Sequence, residues 1–580
     1  MAETLISPGV LTRENDQSFI TQQPVTVGAA IVGPTVKGPV EIPTIVTSYS
    51  DYQNRFGTTF DSGSDQYSFL TSISAYNYFQ NGGESLLVAR VVSGSSTWDY
   101  AESAIPAEDG TAFTLEVLDQ GELFNNSGSV NQIPNGDGAL YSGSKDNIRW
   151  EVANSSSDNG TFDLLIRRGD DKDTNKTVLE TFSGLSLDPK SDNYVARVIG
   201  DYKYEYDTTE NYVKVTGDYP NASRYVRVKS VSLKTPDYFD NAGNAKAAFS
   251  GYIPTQGSGS YSGTFEDGEG SLINAQGVNN MFGDIATQTQ GLVAADYSDM
   301  LNLLANQDDY QFNVLTTPGL IRGVSAHSTA ITTAINNVQS RGDAIYIIDP
   351  SAYGLAISAA DGPVAEAGTI NSSYGAMYWP WLQTSDPDTG DNVWVPASTM
   401  IPGVYAFNDN ASEPWFAPAG INRGGLTTVI RPERKLSQSN RDTLYNAKVN
   451  PIASFPGVGT VVYGQKTLQR QASALDRVNV RRLLISLKSY IGQISQTLVF
   501  EQNTAATRNN FLSQVNPYLE SVQQRQGLYA FKVVMDDSNN TPDVIDRNQL
   551  VGQIFLQPTK TAEFIILDFN VLPTGATFPS

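Results

Sequence analysis

At 580 residues the chain has room for about four domains, and its 40% hydrophobic and 10% aromatic content fits a globular protein rich in strands. Lys and Arg number 38 against 61 Asp and Glu, a net charge of −23 that argues against coating nucleic acid, which needs clustered cations. The absence of cysteine excludes disulfides and thiolate metal sites, and no apolar run approaches the about 20 residues of a membrane-spanning helix.

No secretory leader opens the sequence, so a soluble protein made in a cytoplasm is expected. Residues 1–24, opening Ser7-Pro8-Gly9-Val10, form an arm too polar to fold alone. The apolar run 27–32 predicts a short buried strand stopped by Gly33-Pro34, because proline offers no N–H to a central ladder. Gly38-Pro39 turns the chain, and residues 42–46, interrupted by Pro43, predict an edge strand. Ser48 or Ser50 then caps a short helix carrying Tyr52 and Phe56 and closed by Gly57. A helix over 67–79, ended by Asn81-Gly82-Gly83, and a strand over 85–92 complete a parallel strand–helix–strand unit.

From Gly94 the pattern changes. Short strands over 113–118, 148–152, 162–168, 194–199, 212–215 and 225–231 lie between Gly, Asn, Asp and Ser clusters, the spacing of an inserted β-sandwich or barrel. Residues of roughly 240–290 are rich in Gly and Ser and poorly periodic. Alternation of helix and strand resumes near Leu292, with helices over 297–304 and 329–341, a strand over 312–315 ending at Pro318-Gly319, and a buried strand over 344–349. Beyond it, Leu475, Val478, Leu483, Leu487, Tyr490, Ile491, Ile494 and Leu498 give the spacing of one long amphipathic helix. A second helix over 508–526, closed by Gly527, and strands over 528–535, 550–557 and 564–569 finish the chain.

Motifs suggesting chemistry are incomplete. Residues 28–35 have nearly the spacing of a phosphate-binding loop, but Pro34 stands where the lysine belongs, and the run before it reads as a strand. Asp171, Asp173 and Asn175 mimic the first positions of a calcium loop. Lys176 replaces its turn glycine and Phe182 its bidentate carboxylate, so a solvated hairpin loop is the better reading. His327 is the single histidine; any Ser-His-Asp hypothesis depends on it, and its context, Ser325-Ala326-His327-Ser328-Thr329, is a helix start rather than a hydrolase signature. Lys466, Arg470, Arg477, Arg481, Arg482 and Lys488 form a basic strip with Asp476 as its only acidic neighbour, and Arg477 and Arg481 share a helix face at i, i+4. Intramolecular ion pairs, a solvated face and an acidic partner surface are all open readings at this point.

Several blocks together resemble contractile tail sheath proteins, the family that sheathes myovirus tails and related injection machines. They are the Ser-Pro-Gly-Val opening, Ile31-Val32-Gly33-Pro34-Thr35 with Lys37-Gly38-Pro39, and the segment 48–57. Further along come the run 343–350, the segments 444–452, 459–468 and 478–484, and a partial match over 180–194. The resemblance implies an α+β multidomain fold: an α/β, subtilisin-like core with inserted β-rich domains, an α+β C-terminal domain and extended terminal arms. The expected division is an arm over 1–25, a discontinuous core over 26–95 plus 291–435, an inserted β-domain over 96–205, a second inserted region over 206–290, a C-terminal domain over 436–560 and a terminal strand over 561–580.

By the same resemblance the chain is a non-enzymatic structural subunit, without cofactor or metal, that stacks with copies of itself around an inner tail tube and meets baseplate and tail terminator proteins in a virion tail assembled in host cytoplasm. Ser18, Phe19, Ile20 and Thr21 in the arm, with Phe564, Ile565, Ile566, Leu567 and Phe569 at the other end, are the expected strand-exchange residues. Gly33, Pro34, Gly38 and Pro39 are the expected hinge, and the basic strip a surface for the tube or a neighbouring subunit. The alternatives are the sheath of a bacterial injection device, a subtilisin-like hydrolase requiring His327, and an exported adhesin or surface-layer protein.

Overall fold

Residues 27–62, 65–121, 148–169, 171, 174–257, 265 and 289–563 are described by a computed structural model. The apolar run after the arm forms β1 (Val27–Gly33), the central strand on which the main sheet is built. Its neighbours are β5 (Leu86–Arg90) and β14 (Phe312–Ile321), both parallel to it, with Ile31 opposite Val88 on one side and Thr316 on the other. β15 (Ile345–Asp349), β16 (Gly375–Trp379) and β20 (Val449–Phe455) continue the parallel ladder. Antiparallel strands close the two edges: β2 (Thr44–Val46) beside β5 and β21 (Gly459–Val462) beside β20. The order of the eight strands is β2-β5-β1-β14-β15-β16-β20-β21.

Helices cover both faces, which explains why these strands read as continuous apolar runs rather than alternating ones. Ala30, Val32, Tyr346, Ile348, Met377 and Trp379 face α4 (Ser298–Leu303) and α5 (Ser328–Arg341). Ala29, Ile31, Ile345, Ile347, Ala376 and Tyr378 face α1 (Tyr49–Phe56), α2 (Leu70–Gln80) and α6 (Ile401–Ala411). Ser48 does cap α1, its side chain accepting the Asp51 N–H. β14 runs past its expected end because a register shift between Thr316 and Ile321 absorbs Pro318-Gly319 and lets pairing with β15 resume. Two small sheets lie beside the large one: the hairpin of β3 (Thr59–Ser62) and β4 (Asp65–Ser68), and β17 (Leu382–Ser385) between β18 (Asn392–Val395) and β19 (Val429–Pro432).

Between β5 and β14 the chain builds a β-sandwich. One sheet is β6 (Tyr100–Ala107), β7 (Gly110–Gln120) and β13 (Val226–Val231); the other is β8 (Ile148–Ser156), β9 (Thr161–Arg168) and β10 (Val178–Ser186). Phe113 of the first sheet stacks on Phe162 of the second, ring centroids 5.7 Å apart, inside a core shared with Leu115, Val226, Val152 and Ile166. The expected boundary at 205/206 is therefore wrong: β13 pairs with β7, and Phe265 lies in the same core. The expected strand over 194–199 is α3 (Val195–Ile199), since Val195, Ala196 and Ile199 must all face one core, which a helix allows and alternation does not. A hairpin of β11 (Lys203–Asp207) and β12 (Tyr212–Thr216) leaves the sandwich, and its Tyr206 and Val213 pack against the main-sheet core.

The boundary expected at 435/436 also moves. α7 (Gln438–Asn446), β20 and β21 belong to the main sheet, with Leu444, Val449, Ile452 and Val462 in its two cores. A separate core begins with α8 (Val478–Gln496) and α9 (Ala505–Gln524) and is completed by the hairpin of β22 (Leu528–Val534) and β23 (Gln553–Pro558). The expected strand-exchange segments, 18–21 and 564–569, lie outside the described residues.

Phe113→Ala removes the ring that joins the two sandwich sheets. The expected cost is about 3–5 kcal/mol, seen by calorimetry as earlier melting of the inserted domain; an unchanged melting profile would show that the sheets are held by something else.

Candidate functional site at the junction of the main sheet and the C-terminal helices

A helix N-terminus carries the positive end of the peptide dipole and disfavours cations, yet α8 begins with Arg477 at its N-cap and Arg481 and Arg482 just inside. Each is matched by the chain's own groups. Arg477 donates Nε and Nη2 to Glu563 Oε1 and Oε2 at 2.6 and 2.9 Å and pairs with Asp476 at 2.8 Å. Arg481 lies over the Tyr374 ring at 4.0 Å and donates to Ser373 Oγ. Arg482 donates to Asp409 Oδ2 at 2.5 Å and lies 4.6 Å from the Tyr405 ring, both groups on α6.

The rest of the basic strip is committed in the same way. Lys466 Nζ donates to the Tyr445 carbonyl at 2.9 Å and sits over that residue's ring; Lys488 Nζ donates to Tyr374 Oη at 3.3 Å. Arg470 N–H donates to Asn371 Oδ1 at 3.0 Å and its guanidinium to the Gly368 carbonyl. Arg481 and Arg482 are only 4% and 3% exposed, whereas Lys466 and Arg477 are half-buried and Arg470 and Lys488 are exposed. The strip's buried members are the internal ion pairs and aromatic contacts that join the C-terminal helices to the main sheet.

Glu563 is the centre of this junction. Besides Arg477 it accepts from Tyr445 Oη at 2.9 Å and Gln465 Nε2 at 3.2 Å, and Gln465 also donates to Thr561 Oγ1 at 2.7 Å. Burial alone would raise its pKa, but the hydrogen bonds from Arg477 and Tyr445 overcome this and hold the carboxyl below its ordinary value. Burial, with Lys448 and Arg477 nearby, pulls the Lys466 ammonium down to about 8. A second set of contacts runs parallel: Trp415 Nε1 donates to the Arg525 carbonyl at 3.0 Å, and Arg525 pairs with Glu413 at 2.6 Å. Sequence reading missed Glu563, Asp409 and Tyr445; the hydrogen bonds from Tyr445 and Arg477 to Glu563 and from Arg482 to Asp409 each span 73 or more positions, so no local spacing signals them.

The β22–β23 hairpin stands at the far side of these helices. Tyr529 and Phe555 on it are 63% and 56% exposed, and among the described residues neither strand has a second neighbour. Among the described residues it leaves the sheet of the C-terminal domain open at its edges.

The expected hinge is a packed loop. Arg90 donates to the Gly38 and Val36 carbonyls, and Lys37 N–H donates to the Phe56 carbonyl at 3.0 Å. Gly33 and Pro34 are buried; a Cβ on Gly33 would meet Thr71 Oγ1 at 2.5 Å, and Gly38 combines a φ of +108° with a Cβ position 2.6 Å from the Phe56 ring. Pro39 is half-buried. In this conformation the loop is held by a buried guanidinium and by close packing on both sides.

The incomplete motifs acquire structural roles. Gly28 lies within β1. Asp171 accepts from Arg167 Nε and Nη2 at 2.8 and 2.7 Å and from the Thr177 N–H, and Lys176 pairs with Glu151; Asp173 is outside the described residues. His327 is buried, its Nδ1 accepting the Ile321 N–H at 3.1 Å, and burial lowers its pKa to about 4. The buried carboxylate near this end of the sheet, Asp349, accepts instead from the N–H and Oγ of Ser398.

Glu563→Gln keeps the shape but removes the charge, and is expected to cost about 1.5–3 kcal/mol in urea unfolding. A carboxyl held low in the fold contributes stability above its unfolded value and loses it on acidification, so the wild type should lose this increment below about pH 4.3 and the variant should not. Equal stability and equal acid profiles would remove Glu563 from the junction. The His327 imidazole should titrate by NMR near pH 4. Because the unfolded value is about 6.5, its contribution is present above that pH and is lost as pH falls toward 4; a midpoint near 6.5 would contradict its burial.

Residues 293–468 match the phage tail sheath protein central domain, and residues 470–572 match the phage tail sheath C-terminal domain. The tail sheath protein of Vibrio phage KVP40 is 33% identical over 373 residues, covering 60% of this chain and 52% of that protein. That of Enterobacteria phage T4 is 40% identical over 209 residues, 36% of this chain and 32% of the relative. That of Salmonella phage ViI is 27% identical over 516 residues, 84% of this chain and 75% of the relative. The chain thus spans about half the length of the KVP40 relative and about a third of the T4 relative. The crystal structure of a sheath tail protein from Listeria innocua superposes over 92% of this chain and 96% of its own with a TM-score of 0.51 at 9% identity, a likeness of fold alone. The change of family domain falls between 468 and 470, inside the junction that Gln465 and Arg477 share with Glu563, and the chain belongs to the contractile tail sheath protein family.

Proposed function

We propose that the chain is the structural, non-enzymatic subunit of a contractile tail sheath. Copies polymerise around an inner tail tube, and the assembly relaxes from a metastable extended state to a shorter, wider one, driving the tube through a target envelope for genome delivery. The observation that carries this reading is the open C-terminal hairpin. Two strands alone are marginal in water, and added strands from neighbouring chains would complete the sheet through main-chain hydrogen bonds, which hold without demanding particular side chains. In this reading the donated strands are residues 18–21 and 564–569, which carry Phe19 and Ile20 and the run Phe564-Ile565-Ile566-Leu567 in sequence.

The partners in this reading are further copies, the tube protein, and the baseplate and terminator proteins at the two ends. The place is the virion tail, after assembly in host cytoplasm. The matched relatives are tail sheath proteins of phages, which favours a virion over a bacterial injection device. We read the helix-covered main sheet as the subtilisin-like layer of the family, serving as a rigid body: His327 is bound to backbone and Asp349 to Ser398, so these groups support packing. The free energy of contraction then resides in contacts between subunits, and rigid domains with persistent linkages suit such a change.

Electron microscopy of the purified full chain should show tubular polysheaths, and removal of residues 564–580 should shorten or abolish them while leaving the fold intact by circular dichroism. Monodisperse monomers of the full chain at high concentration would overturn the assignment.

A further inference from the structure

The inserted sandwich carries a cavity of about 370 Å³ that the sheath reading does not use. It opens where the start of β9, the end of β10, the loop after β10 and the segment at Tyr238 meet. Its walls are set by internal hydrogen bonds. Asp188 accepts the N–H groups of Lys190 and Asp237 at 3.0 and 3.1 Å, and Ser186 N–H donates to the Asn193 carbonyl at 2.8 Å. Tyr238 is buried behind them, stacked on Phe249 and donating its hydroxyl to the Ser157 carbonyl at 2.5 Å. Such a pocket is pre-formed and within the range of about 300–1,000 Å³ used for small ligands.

The lining selects among ligand classes. Anions face two carboxylates, Asp188 and Asp237, and the two cations beside them are already committed: Lys190 pairs with Asp237 at 3.0 Å, and Lys246 donates to the Asp237 carbonyl. For a metal ion the carboxylates are too few, and the described residues hold no cluster of metal-ligating side chains. An apolar ligand would leave amides and hydroxyls without partners. What the cavity offers is uncharged: the side chains of Asn159, Thr161 and Asn193 make no hydrogen bond among the described residues, and the Phe239 ring is 45% exposed, edge-on to Tyr238 with centroids 5.4 Å apart. Amides and a hydroxyl both donate and accept, as a sugar hydroxyl requires, and an aromatic face suits the C–H side of a pyranose.

We propose that this cavity is a binding site for a neutral saccharide, with Asn159, Thr161 and Asn193 meeting its hydroxyls and Phe239 its apolar face. The test is saturation-transfer NMR on the full chain with maltotriose, cellotriose and tri-N-acetylchitotriose at millimolar concentration. Transfer to the ring protons of at least one is expected, with binding about tenfold weaker in Phe239→Ala and in Asn193→Ala, as loss of one aromatic or hydrogen-bonding contact implies. Phe239 and Asn193 are surface positions, and circular dichroism of each variant confirms that the sandwich is intact. Binding of assembled polymers to beads bearing the same sugars would identify a surface glycan as the ligand source; binding by free trisaccharide alone would identify a soluble one. Absence of transfer from all three sugars, or transfer unchanged in both variants, overturns the proposal.

Discussion

The arginines at the start of α8 set the terms for the whole C-terminal half. Placed at the wrong end of a helix dipole and largely withdrawn from water, they are tolerable only with carboxylates and aromatic faces around them. Those groups come from distant parts of the chain: Asp409 and Tyr405 from α6, Tyr374 from the approach to β16, Tyr445 from α7 and Glu563 from beyond β23. The helices therefore have one docked orientation on the main sheet. Removing Asp409 leaves the buried Arg482 without its carboxylate, which costs far more than the pair contributes, whereas Arg477 keeps Asp476 if Glu563 is lost. The junction is stiff because its alternatives are expensive.

The inserted sandwich depends much less on this frame. It leaves after β5 and returns before β14, the two strands that flank β1, so the ladder closes around the insertion without requiring its contents. It has its own core, bridged by Phe113 and Phe162, and its β11–β12 hairpin reaches back to the main sheet. A separately folded unit in that position is where surface chemistry can change while the mechanical body stays constant.

Legibility in the sequence followed the range of the interactions. The run at 345–349 was readable because burial on both faces leaves only apolar side chains before the terminal aspartate. The α1 cap was readable because Ser48 and Asp51 lie three positions apart. The segment 195–199 failed as a strand because five residues with Val and Ile carry β-propensity, while tertiary packing against a single core decides the outcome. The basic strip was legible only as charge: its sequence left internal pairs and a solvated face both open. It is packing that buries Arg481 and Arg482 over tyrosine rings while Arg470 and Lys488 stay exposed. Glu563 was unreadable: nothing near it in the chain distinguishes it from a solvated carboxylate.

The margins of the main sheet have a consequence for association. On one side β2 is only three residues long and follows Pro43, which cannot donate to a ladder. On the other, β21 is overlaid by the segment 420–426: Gly420 and Leu426 donate N–H groups to the Val462 and Thr460 carbonyls at 2.8 and 3.0 Å, and Val462 donates to Gly424 at 2.8 Å. Among the described residues the largest sheet is thus insulated against foreign strands on both flanks. Copies crowded together at high local concentration are denied a mispairing that would fuse their rigid bodies in the wrong register.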